Sequence, residues 1–155
     1  MTTDTSPPSL ERIWPPEPVS VSHTRRFLRE ALDLWSLQSV GDAAAVVLSE
    51  LATNAVLHAR TDFIVRLSQP GKHTLHLSVT DGSTRLPRWT KDLHGPGGRG
   101  LRLIDALSAE WGAVLNGVEG KTVWALVSPD VVEDVIASGQ ADAQPAAAEP
   151  ARRAE

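Results

Sequence analysis

A chain of 155 residues holds one ordinary domain whose core folds without cross-links, and it leaves little room for a second. Hydrophobic residues make up 41% and the formal net charge is -4, which suits a mildly acidic globular protein and disfavours a broad basic face for nucleic acid. Cysteine is absent, so disulfide frameworks, thiolate zinc sites and cysteine nucleophiles are excluded, in keeping with a reducing compartment.

Residues 1–9 are polar and punctuated by Pro7 and Pro8, and residues 139–155 are rich in Ala, Pro and charge; both read as disordered tails around one domain at 10–138. No uninterrupted apolar stretch of membrane-spanning length stands out, and Met1 to Pro8 lacks the pattern of a secretory signal. The expected location is the cytoplasm, with no membrane partner. A short edge strand is expected around Glu11 to Trp14, before the Pro15-Pro16 and Pro18 punctuation. Ser22 is a good N-cap for a first helix carrying Phe27, Leu28, Ala31, Leu32 and Trp35 at helical spacing. Gly41 and Asp42 introduce a second helix to about Ala59, with Ala44, Val47, Leu48, Leu51, Ala52 and Ala55 as its apolar stripe. Phe63–Ser68 and Thr74–Thr80 predict a hairpin turning at Gln69 to Lys72. The breakers between Asp81 and Gly98 predict a long loop of the kind kept for function, followed by a helix from Arg99 to about Leu107. A second hairpin is expected from Trp111–Leu115 and Thr122–Val127, then a short helix over Pro129 to Ala137. The order predicts an α+β, two-layer α/β sandwich, with helices on one face of a mostly antiparallel, mixed sheet.

Three constellations carry candidate chemistry. Glu50 and Asn54 stand one turn apart on the second helix, where a carboxylate can take a proton from an attacking hydroxyl and a carboxamide oxygen can ligate Mg²⁺. Taken alone, such a pair is more often solvated helix flank. Asp81-Gly82 ends a strand, where a carboxylate can accept from an exocyclic amine such as that of adenine and glycine lets a ring approach, although Asp-Gly by itself is a common turn. Gly95 to Leu101 leads straight into a helix, as a phosphate-binding N-terminus does, and as a plain flexible connector also does. It is no Walker motif, and Gly120-Lys121-Thr122 lacks the upstream glycine of one.

Taken in order, these segments have a family likeness. Ser49 to Ala59 (SELATNAVLHA) resembles the N-box of the anti-sigma kinase branch of the histidine-kinase-like ATPases, Asp81 the first residue of its G1 box, and Gly98-Arg99-Gly100-Leu101 its G2 box. Trp111-Gly112 and Gly120 to Trp124 resemble the closing hairpin of compact actinobacterial members, so the likeness covers about Leu10 to Ser128. It implies the histidine-kinase-like ATPase fold, ATP and Mg²⁺ as cofactors, and an ATP-dependent protein serine/threonine kinase acting as an anti-sigma factor. Asn54 would coordinate Mg²⁺, Glu50 would activate the acceptor hydroxyl, and Asp81 with Gly82 would bind adenine. Gly98, Gly100 and Leu101 would shape the lid over the phosphates, with Thr122 near the nucleotide. The implied partners are a sigma factor and an anti-anti-sigma protein that accepts the phosphate, with a homodimer as the implied assembly.

The likeness has departures. The G1 box of the family usually reads Asp-x-Gly-x-Gly, whereas Ser83 and Arg85 occupy the two later glycine positions here. Serine is small, but Arg85 asks for a different backbone path or a new role such as phosphate contact. Some relatives place Arg before the Gly-x-Gly, where this chain has Pro96, and Arg99 is the candidate to compensate. An alternative reading is therefore a module that keeps the fold and sequesters a sigma factor with little or no transfer. The catalytic domain of a sensor histidine kinase fits poorly, since no phosphoacceptor hairpin precedes the domain. His58 reads as a helix-end histidine that can also line the site, and His73, His76 and His94 form no metal-ligand arrangement. Arg25, Arg26 and Arg29 read as a solvated helix face or, more sharply, a docking site for an acidic partner. The five tryptophans read as packing, with Trp89 also a candidate lid residue or partner contact.

Overall fold

The structure, a computed structural model, describes residues 6–87 and 98–130. In chain order they form β1 (Ser9–Trp14), α1 (Pro18–Trp35), a 3₁₀ turn (Gln38–Val40), α2 (Gly41–Asn54), a π-helical turn (Ala55–Ala59), β2 (Phe63–Gly71), β3 (Thr74–Asp81), α3 (Gly98–Leu107), β4 (Glu110–Leu115) and β5 (Lys121–Val127). Trp89 and His94, the expected helix beyond Asp130 and the expected C-terminal tail lie outside the described residues.

α1 starts at Pro18, four residues before the expected cap at Ser22. Proline at the first helical position has a pre-set φ, and its missing N–H has no intrahelical partner to lose. Ser20 then anchors the first turn, its Oγ donating to the Pro15 carbonyl at 2.8 Å. The helix ends at Ser36, which adopts a left-handed φ of 55° and returns its N–H to the Leu32 carbonyl. α2 continues into the π turn, closed by Arg60 N–H donating to the Ala55 carbonyl five residues back, at 2.9 Å. Such wide turns are frequent at functional sites.

The five strands form one sheet in the order β1-β2-β3-β5-β4. Every pairing among the described strands is antiparallel, which bears out the mostly antiparallel α+β sandwich expected from the sequence. β5 enters between β3 and β4, so the last of the described strands is not an edge. The pleat sends Phe63, Val65, Leu67, Leu75, Leu77, Val79, Val123, Ala125 and Trp111 to one face, where they are buried with Phe27, Leu28, Ala31, Val47, Leu48 and Leu51 of the helices. Each fully buried Leu of that layer is worth about 1.5–3 kcal/mol. Trp111, 1% exposed, buries its ring there while its Nε1 donates to Asp105 Oδ1 of α3 at 2.7 Å. The run Gln38–Ala59 is, by length and composition, long and apolar enough to cross a membrane, with a mean hydropathy of 1.4, although no such stretch is expected from the sequence. Half of that window is buried inside this core, which accounts for its apolarity.

On the opposite face, His76 of β3 stacks on Trp124 of β5 with ring centroids 5.6 Å apart, and Thr80 and Thr122 share a 2.7 Å hydroxyl contact. Burial holds the His76 imidazole below its usual value of 6.5, and the neighbouring Arg66 charge adds to the effect. The unfolded chain therefore takes up a proton at His76 before the folded chain does, and stability falls as pH drops through 6.5 toward the folded value. A urea midpoint followed from pH 8 to about pH 5 is expected to decline, and His76→Phe, which keeps a ring against Trp124, is expected to flatten part of that decline.

One glycine decides how β5 joins the sheet. Gly120 has φ +136°, and a Cβ there would sit 1.9 Å from the Asp81 carbonyl oxygen. Gly120→Ala is expected to lower stability by about 3 kcal/mol or more, combining backbone strain with a displaced strand, as read from a shift in thermal or urea midpoint.

Candidate functional site

The site forms at the end of the sheet where β3 finishes and β5 begins. Asp81, the last residue of β3, pairs in register with Lys121, the first of β5. α2 crosses above this point, and an open cavity of about 910 Å³ lies between them. Its walls are Leu51 and Asn54 of α2, His58 of the π turn, Val79 and Asp81 of β3, residues 83–87, Leu101 of α3, Leu115 of β4, and Lys121 and Val123 of β5. Apolar walls with a few polar groups are the usual make-up of a small-molecule pocket.

At its base lies a buried ion pair. Asp81 is 6% and Lys121 8% exposed, and Lys121 Nζ donates to Asp81 Oδ1 at 2.9 Å and to Oδ2 at 3.0 Å. Oδ1 also accepts from the Ser83 N–H at 2.9 Å, and the Ser83 hydroxyl accepts from the Arg85 N–H at 3.1 Å. Two successive side-chain turns thus carry the chain out of β3. Among the described residues the only non-glycine positive φ values are at Ser36 and Arg60, so Ser83 and Arg85 follow a path that needs no glycine. Arg85 lines the cavity.

The sequence-derived residues divide. Asn54, Asp81 and Leu101 are brought together on the cavity wall. Glu50 is half-buried on α2 one turn before Asn54 and does not line the cavity. Gly82 does not line the cavity either: its N–H donates to Thr61 Oγ1 at 2.8 Å, and a Cβ there would meet Thr61 Cγ2 at 3.0 Å. Thr122 does not line the cavity. The pleat turns it to the other face of the sheet, where it contacts Thr80 and accepts from Asn116 Nδ2 at 3.1 Å, while its neighbour Lys121 points into the cavity. Gly98 and Gly100 form the first turn of α3, and the Arg99 side chain lies outside the described residues. Arg25, half-buried, donates to Ser49 Oγ at 3.2 Å and ties α1 to the turn that carries Glu50, while Arg26 and Arg29 are exposed.

Lys121 is the residue that sequence reasoning missed. Its signal was present only as strand register, since an acid ending one strand and a base opening another meet only once β5 is known to lie beside β3.

The donor set fits a magnesium nucleotide. Asn54 offers a carboxamide oxygen, and Mg²⁺ takes few protein ligands where phosphates supply the others. Among the described residues no group of three His, Cys, Asp or Glu is placed to hold a metal by itself. The apolar walls from Leu51, Val79, Leu101 and Val123 suit a flat base, with the Asp81–Lys121 pair at the polar end.

Residues 14–126 match the Histidine kinase-like ATPase domain family, and the chain belongs to that family. The fold is similar to a crystal structure of the RsbU and RsbW domains of Rv1364c from Mycobacterium tuberculosis, with a TM-score of 0.60 and 21% identity over 78% of this chain. This chain spans 32% of that one. A histidine kinase domain of the EL346 blue-light activated histidine kinase from Erythrobacter litoralis is similar at 25% identity and a TM-score of 0.46, covering 64% of this chain and 49% of that one. No curated protein matches.

Because Asp81 and Lys121 are both buried, losing one partner strands the other. Lys121→Met is expected to cost about 3 kcal/mol in urea unfolding, and the double variant Asp81→Asn/Lys121→Met to regain most of it. Asparagine keeps the acceptor that the Ser83 N–H requires.

Proposed function

We propose that this chain is an ATP-binding anti-sigma regulatory factor that transfers phosphate to a serine or threonine of an anti-anti-sigma protein, and so controls the availability of a sigma factor. The observation that carries the reading is the meeting of Asn54, Asp81 and Leu101, drawn from three separate elements, on one cavity. The N-box, G1 and G2 resemblances support the same assignment, and the fold-level likeness to a structure containing an RsbW domain is in keeping with it. A cytoplasmic, soluble location accords with such a role.

In this reading Asn54 holds Mg²⁺ and Asp81 faces the base. Bound Mg²⁺ supplies neutralisation of charge on the phosphate oxygens, which is most of what phosphoryl transfer requires. Glu50, one turn from Asn54, orients the acceptor hydroxyl and takes its proton. Leu101 closes the cavity beside the first turn of α3, whose backbone N–H groups favour negative charge. A second reading rests on a specific observation. The path out of β3 is closed by Ser83 and Arg85 side-chain and backbone contacts and not by glycines, which favours a module that keeps the fold, binds its regulator and transfers little or no phosphate.

Purified chain with Mg²⁺-ATP is expected to change its tryptophan fluorescence. Glu50→Ala is expected to lower transfer by at least about a hundredfold while keeping much of the binding, whereas Asn54→Ala weakens Mg²⁺-ATP binding about tenfold or more. A pull-down from native lysate with and without ATP, with phosphorylation mapped on the retained proteins, separates the two readings. Binding without transfer to any retained partner supports the second.

A further inference from the structure

We propose that Lys121 is a base-contacting, specificity-determining residue of this cavity, and that the Asp81–Lys121 pair lets the site accept 6-oxo purine nucleotides as well as 6-amino ones. The inference rests on the nucleotide reading above and deepens it.

The pair presents two atoms side by side at the polar end of the cavity. Among the described residues Asp81 Oδ2 accepts only from Lys121, at 3.0 Å, while Oδ1 is shared between Lys121 and the Ser83 N–H. A carboxylate offers about four lone-pair positions, so Oδ2 retains capacity for one more donor. The Lys121 ammonium carries three N–H donors, and among the described residues its only acceptors are the two oxygens of Asp81. One acceptor position and one donor therefore lie about one hydrogen-bond length apart on residues that line the cavity.

The 1,6 edge of a purine is read by such a pair in either sense. A 6-amino purine donates its exocyclic N–H to Asp81 and accepts at N1 from Lys121. A 6-oxo purine accepts at O6 from Lys121 and donates its N1–H to Asp81. A lone buried carboxylate satisfies both polar atoms of neither edge: it can accept the N6–H or the N1–H, but it leaves N1 of the first or O6 of the second without a donor, and the O6 carbonyl, the stronger acceptor, is the costlier to leave unpaired when buried. Lys121 supplies the missing donor. Its position is fixed by strand register: Lys121 pairs with Asp81 on β3 and with Leu115 on β4, so the side chain has the helix-facing side of the sheet as its only direction.

The test compares ATP with inosine triphosphate on the full chain, by calorimetry with Mg²⁺ present. The wild-type chain is expected to bind the two within about tenfold of each other, and Lys121→Met is expected to shift the ratio about a hundredfold further toward ATP. A purely structural role for Lys121 would weaken both nucleotides together and leave the ratio unmoved, which overturns the proposal. Wild-type rejection of inosine triphosphate by a hundredfold or more also overturns it, and this measurement stands even where Lys121→Met fails to fold. ATP binding with either of those results leaves the nucleotide reading intact, whereas failure of the wild-type chain to bind either nucleotide removes both.

Discussion

Where β5 enters the sheet beside β3, the backbone of Gly120 lies against the Asp81 carbonyl at a distance no side chain tolerates, with Gly82 close on the same side. That approach lets Lys121 begin its strand directly opposite Asp81. The ion pair, the Ser83 turn and the floor of the cavity all follow from this one juncture. A sheet that closed a few tenths of an ångström wider would lengthen the Lys121–Asp81 contacts and expose both charges to water, where the pair is worth far less.

The pleat then divides labour between the two faces. On the helix side, the apolar layer gives way at the strand ends to Asp81 and Lys121, so the cavity is an extension of the core whose last positions happen to be polar. On the other side, the same strands present Thr80, Thr122, His76 and Trp124, which satisfy one another across the ladder. A single-residue step, from Lys121 to Thr122, separates the two environments. This is why one residue of the pair can reach a ligand while the other stabilises strand pairing.

Glycine is replaced by polar side chains in the segment leaving β3. Where the family's pattern relies on backbone freedom at two positions, this chain closes the turn by Asp81 accepting from Ser83 and Ser83 accepting from Arg85. The exchange ties the turn, through the Ser83 N–H, to the carboxylate that also holds Lys121. The wall that Ser83, Thr84 and Arg85 contribute to the cavity is accordingly more constrained than a glycine-rich strand exit would be.

The elements were largely legible in the sequence because their signals are local. The Leu48, Leu51, Ala52 and Ala55 stripe, the alternation in Phe63 to Leu67 and the breakers around the hairpins depend on neighbours within a few residues, and they fixed the α+β order and most strand positions. The start of α1 was misplaced because Pro18 at a first helical position competes with Ser22 as a punctuation signal, and local sequence alone ranks them wrongly. Asn54 and Asp81 were identified by residue type and by likeness to a family pattern. That Lys121 and not Thr122 enters the cavity, that Glu50 stands off its wall, and that Gly82 serves Thr61 were decided only by tertiary structure. Each depends on the phase of a strand or helix relative to a partner distant in the chain, 40 residues away for Lys121 and Asp81 and 21 for Gly82 and Thr61, and side-chain direction alternates too quickly along a strand for composition or spacing to set that phase.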